Sequence, residues 1–103
     1  MRIISISPTE RTQKHFNPVH LTEAVRSIKE DGYVILQDCV ERQHVEVLCE
    51  KMLADTETIL ARDDIPFNFN VGNIQQDPPP FPPYLFEDVL LNPFVIAITR
   101  SIL

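Results

Sequence analysis

The chain has 103 residues, 44% hydrophobic and 23% charged, a length and balance that fit one small globular domain and argue against disorder throughout. Its formal net charge is −6, so it gains nothing from counterion release, and nucleic acid is not an expected partner. No apolar run approaches the roughly 18 residues that span a bilayer, no basic amphipathic stripe suits a membrane surface, and residues 1–8 lack the length and cleavage site of a signal peptide, so a soluble, cytoplasmic protein is expected.

Residues 1–20 form a mixed N-terminal segment. Residues 2–7 are apolar enough for a short strand that Pro8 ends, residues 9–17 are polar and read as loop, and Asn17-Pro18 favours a turn. A helix then begins near Leu21. Its apolar residues Leu21, Ala24, Val25 and Ile28 have the i, i+3, i+4, i+7 spacing of one face, with Thr22 as the expected N-cap. Gly32 follows the last turn, where a left-handed residue is needed. Tyr33, Val34, Ile35 and Leu36 are β-prone and apolar, predicting a buried strand over residues 33–37.

A second, longer helix is expected over residues 42–62, with Val45, Leu48, Met52, Ile59 and Leu60 near one stripe and Glu46, Glu50, Lys51, Asp55 and Glu57 mostly off it. Residues 63–66 end it. The proline-rich stretch 67–83 predicts ordered coil, with polyproline II character over residues 78–83. A short helical piece is expected over residues 85–91. Asn92-Pro93 then restarts a helix whose face carries Phe94, Ile98 and Ser101, while Val95, Ile96, Ile102 and Leu103 are also apolar. A helix apolar on most sides wants burial on most sides, and it runs to Leu103 without a polar cap, so a following segment or a partner is expected to cover it. Cys39 lies in the strand-to-helix link and Cys49 in the second helix, and both read as small buried hydrophobes without a redox role.

The order helix, Gly32, Tyr33 to Leu36, long helix resembles the N-terminal portion of the phytanoyl-CoA dioxygenase family, non-haem Fe(II)- and 2-oxoglutarate-dependent oxygenases. The loop from Gly72 through Asn73, Ile74, Gln75, Gln76 and Asp77 to Pro80 is similar to a proline-bounded loop in fungal members. The stretch Leu90, Leu91, Asn92, Pro93, Phe94, Val95, Ile96 resembles the helix that follows it. Together they cover residues 21–103. The resemblance implies an α+β chain, the helical N-terminal flank of a jelly-roll (double-stranded β-helix) oxygenase with most of the jelly roll absent. The full-length form would use Fe(II) and 2-oxoglutarate to oxidise a small organic molecule, with fungal secondary metabolism as one setting.

The family's iron site takes a His-x-Asp/Glu pair and a distant His. Only His44 and Glu46 have the short spacing, and in a helix side chains two apart diverge by about 200°. They read as exposed helix residues. No histidine follows His44, and Arg100 lies in a predicted helix rather than where it would hold 2-oxoglutarate. No catalytic or metal-ligating residue is therefore assigned, and this chain alone is expected to bind no cofactor. The resemblance places Asn73, Gln75 and Gln76 near the substrate and cosubstrate mouth, where amides both donate and accept. The alternative is that they satisfy backbone groups of a loop that cannot bond itself.

Residues 78–83 also raise docking to an SH3, WW or EVH1 domain. No basic residue flanks the run, and Tyr84 directly follows Pro83, which misses the Pro-Pro-x-Tyr spacing. Two functions remain from the sequence: a truncated member of the oxygenase family, inactive alone, or a non-catalytic module that forms a homodimer or meets a protein partner through Pro93 to Leu103. The strand after Gly32 has only residues 2–7 to pair with, and a two-stranded sheet is marginal by itself.

Overall fold

The computed structural model describes residues 3–65 and 72–103. In chain order the elements are β1 (Ile3–Ser5), α1 (Pro8–Gln13), α2 (Pro18–Asp31), β2 (Ile35–Gln37), α3 (Arg42–Leu60), α4 (Glu87–Leu90) and α5 (Pro93–Ile102). The chain mixes helix with sheet, as expected of an α+β protein. It divides into two compact units, Met1–Arg42 with Glu87–Leu103, and Gln43–Phe86. No helix among the described residues is long and apolar enough to cross a membrane. Arg2 of the expected first strand, Pro66 at the expected helix stop, and residues 67–71 of the expected coil lie outside the described residues.

In the first unit, β1 and β2 pair in parallel, with Ile3 opposite Ile35, Ile4 opposite Leu36 and Ser5 opposite Gln37. Ile6 extends the pairing by donating its N–H to the Gln37 carbonyl at 2.9 Å. Alternation turns Ile4 into the core and leaves Ile3 and Ile35 at the surface. The core comprises Ile4, Ile6, Phe16, Ala24, Phe94 and Ile98. Phe16 meets Phe94 edge to face, with centroids 5.2 Å apart, the arrangement that ring quadrupoles prefer. Three of the four α2 stripe residues behave as their spacing predicts: Ala24 is fully buried, and Leu21 and Ile28 pack against the core, whereas Val25 is half-buried outside that cluster. Ser27 is buried too, and its hydroxyl donates to the Tyr33 carbonyl at 2.8 Å.

Several local expectations are corrected. Residues 9–13 of the expected loop are helix, within Pro8–Gln13. Ser7 and Glu10 form a reciprocal capping box, Pro8 occupies the first turn, and Lys14 closes the helix in the left-handed region at φ 53°. Pro8 thus starts a helix rather than ending the strand, which stops at Ser5. The N-cap of α2 is Asn17, not Thr22. Asn17 Oδ1 accepts from the Val19 N–H at 2.8 Å, and Pro18 supplies a preset φ at the first helical position. Thr22 sits inside the helix and donates back to the Pro18 carbonyl. Gly32 is the expected left-handed stop, at φ 84° with its N–H on the Ile28 carbonyl.

Strand β2 is shorter than expected and not buried: Tyr33 and Ile35 are 44% and 40% exposed. Among the described residues β2 has one neighbouring strand, and Leu36 turns to the core while Ile35 faces out. In α3, which ends at Leu60, Leu48 is buried, Met52 and Ile59 are half-buried, and Val45 and Leu60 are exposed. The second unit supplies no other long helix among the described residues to cover the full stripe. Cys49 is exposed, not buried, whereas Cys39 is half-buried and burial raises its thiol pKa. In α5 only the Phe94 and Ile98 side is buried, with Ala97 packed beside it. Ser101, Val95, Ile96, Ile102 and Leu103 remain exposed, so the expected burial on most sides is not met among the described residues.

Two buried polar side chains join these elements. Asn92 caps α5 by accepting from the Phe94 and Val95 N–H groups, and donates to the Cys39 and Asp88 carbonyls. Glu10 accepts from the Ser7 N–H at 3.1 Å, the Asn17 N–H at 2.9 Å and His20 Nδ1 at 2.9 Å. Burial alone would raise the Glu10 pKa, but these bonds together outweigh it and hold the carboxyl below its ordinary value of 4.5.

Asn92→Ala is expected to lower unfolding free energy by about 2–4 kcal/mol, because two carbonyls lose a donor and the helix loses its cap. Asn92→Asp keeps the acceptor and should cost less; urea titration of both variants checks the order. Because the folded-state pKa of Glu10 is depressed, its stabilisation is present above pH 4.5 and drains as pH falls through the lowered value. Glu10→Gln should therefore be less stable than the parent at neutral pH, with the gap closing in acid. Denaturation at a series of pH values reads that gap.

Candidate functional site

The second unit is built on α3 from Gln43 onward and the coil that returns along it. Gln76 fastens the two. Its Nε2 donates to the Met52 carbonyl at 3.1 Å, and its Oε1 accepts from the Thr56 hydroxyl. Thr56 Oγ1 is also 2.7 Å from the Met52 carbonyl, so its single proton serves one acceptor at a time. Beyond the coil, the Tyr84 N–H closes a turn on the Phe81 carbonyl at 3.0 Å. The extended run expected over residues 78–83 therefore gives way to a turn at Phe81. The Phe81 and Tyr84 rings meet edge to face at 5.7 Å, and Lys51 lies 5.9 Å from the Tyr84 centroid.

Between the end of α3 and this coil is an open cleft of about 700 Å³. Ile59, Ile65, Pro79 and Phe81 give it apolar walls. Its rim is charged. Arg62 clasps Asp64 with two bonds, Nε to Oδ1 at 3.0 Å and Nη2 to Oδ2 at 2.8 Å. That hydrogen-bonded pair lowers the Asp64 pKa and raises that of Arg62. Asp55 accepts from Lys51 at 2.8 Å one turn earlier, and the same bond raises the Lys51 pKa. Asp77 completes the rim.

The three residues singled out from the sequence divide here. Gln75 and Gln76 line the cleft, and Asn73 is exposed and not among its lining residues. Gln76 is committed to α3: its amide bonds the Met52 carbonyl and the Thr56 hydroxyl, not backbone groups of its own loop. The sequence reading missed Arg62, Asp64, Ile59 and Phe81 as cleft residues. The i, i+3 spacing of Ile59 and Arg62 at a helix end, and an aromatic inside a proline run, were the available signals.

The histidines do not form a ligand set. His15 is exposed, His20 is engaged by Glu10, and His44 stacks on Phe86 with centroids 4.2 Å apart and planes 16° from parallel. Among the described residues, no group of three or more His, Cys, Asp or Glu side chains is placed to hold a metal ion. These residues do not fit a two-His, one-carboxylate iron site. Arg100 is exposed on α5. Compared with models of known protein families, the chain matches none.

Gln76→Ala is expected to cost about 1–2 kcal/mol and to free the coil from α3. Amide hydrogen exchange should accelerate over residues 72–77 and stay unchanged in α2.

Proposed function

We propose that this chain is a partial member of the phytanoyl-CoA dioxygenase family, the helical flank of a jelly-roll (double-stranded β-helix) oxygenase. The observation that carries the reading is the order of elements. Helix α2, the left-handed Gly32, strand β2, long α3, the coil from Gly72 and the Asn92-capped α5 follow one another as the resemblance implies. The bare outer face of β1 and β2 supports it too, since parallel strands are ordinarily covered on both faces. In this reading the full-length form is a cytoplasmic enzyme that oxidises a small organic molecule with Fe(II) and 2-oxoglutarate, and fungal secondary metabolism is a fitting setting. Chemistry then belongs to residues beyond these, because the histidines here do not fit the iron site.

The intact mass of the protein from its source tests the reading. A mass of roughly 30 kDa or more, the scale of a larger domain, with a His-x-Asp/Glu pair and a later His after Leu103, is the expected result. A native mass of 11.9 kDa would overturn the enzyme and leave at most a family remnant. The purified 103-residue chain should make no succinate from 2-oxoglutarate, and tight stoichiometric Fe(II) binding with turnover would contradict that.

A second reading, a non-catalytic module that dimerises or binds a protein through Pro93 to Leu103, is favoured by one observation. Val95, Ile96 and Ile102 are 52%, 37% and 41% exposed, and Leu90 and Leu91, just before the helix, are 53% and 62% exposed. Sedimentation at micromolar concentration should then show self-association that Ile102→Glu abolishes; a compact monomer would exclude the homodimer.

A further inference from the structure

We propose that the cleft at the end of α3 binds a small ring-bearing apolar molecule that carries no negative charge, and that it favours a protonated amine. Three features point there, all within one compact unit. The cleft is of the size that small-molecule sites occupy, and its walls are mostly apolar. Phe81 stands 49% exposed at one end, offering a ring for stacking and for attraction to a cation. The rim selects the sign of charge. Three carboxylates line it against one guanidinium. Lys51 occupies Asp55 and Arg62 occupies Asp64, so Asp77 carries the surplus negative charge. The chain's net charge of −6 adds a field of the same sign.

The two glutamines then have separate roles. Gln76 is committed to α3 and positions the wall. Gln75 is exposed on the lining and offers an amide to a polar substituent of the ligand. The inference does not depend on the family reading, because binding here needs no iron. If that reading also holds, the same rim turns away an anionic CoA thioester and directs the search toward uncharged or basic substrates.

Three probes that share one ring separate shape from charge: 1-naphthylmethylamine, 1-naphthylmethanol and 1-naphthylacetate. Each is titrated into the full ¹⁵N-labelled chain at low salt. The expected result is saturable shifts at Ile59, Arg62, Ile65 and Phe81, with affinity falling from amine to alcohol to acetate. The amine should exceed the acetate by roughly threefold or more, a gap that added salt closes. Asp77→Asn, an exposed substitution that leaves the fold intact, should narrow the gap, and Phe81→Ala should weaken all three probes. Equal or tighter binding of the acetate overturns the charge preference. Shifts confined to other residues, or no saturable binding, overturn the site itself. Neither result touches the family reading, which native mass decides.

Discussion

The first unit depends on the side-chain amide of Asn92. It is 6% exposed, and both of its lone-pair sites and both of its protons are used. Through Cys39 it holds the link that leaves β2, through Asp88 it holds α4, and through Phe94 and Val95 it starts α5. Phe94 is two residues on and 1% exposed. The ring that meets Phe16 in the core is thus placed by a polar group at its own helix terminus. A hydrophobic residue at position 92 would leave the part-buried Cys39 and Asp88 carbonyls without this donor, and an aspartate would satisfy only the cap.

Glu10 plays a comparable part for the first two helices of the unit. One carboxylate closes the start of α1, fixes the backbone of the residue that caps α2, and pairs with His20. These helices and strands are short, and β1 and β2 have three residues each. Regular ladders alone therefore leave many backbone groups to be met by side chains. Among the described residues, no buried side-chain nitrogen or oxygen lacks a partner.

What was legible in the sequence was whatever a local rule decides. Most of the 21, 24, 25, 28 stripe (all but Val25), the Gly32 stop and the Asn92-Pro93 start each rest on a few nearby residues, and each appears in the structure. Helix α1 was overlooked because it has no apolar period; its capping box, Ser7 with Glu10 three residues later, was in the letters all along. Thr22 lost its expected role because Asn17-Pro18 captures the helix one turn earlier. Burial was the less legible part. Whether Ile35, Val45 or Cys49 meets solvent depends on surfaces that another part of the fold must supply. The cleft shows the same limit: Gln76 was visible as an amide in a loop, but its partners lie 20 and 24 positions away, and no spacing rule links them.

Both asparagine caps are followed by proline, at Asn17-Pro18 and Asn92-Pro93. Asparagine ages chiefly when the next backbone nitrogen, after losing its proton, attacks the side-chain amide and closes a succinimide ring. Proline has no such proton to lose. The residue that presets the helix therefore also blocks the ordinary route of deamidation at the two amides that start α2 and α5. A slow conversion of Asn92 to aspartate would strip both donor bonds from the core, and the adjoining ring closes that path for the lifetime of the molecule.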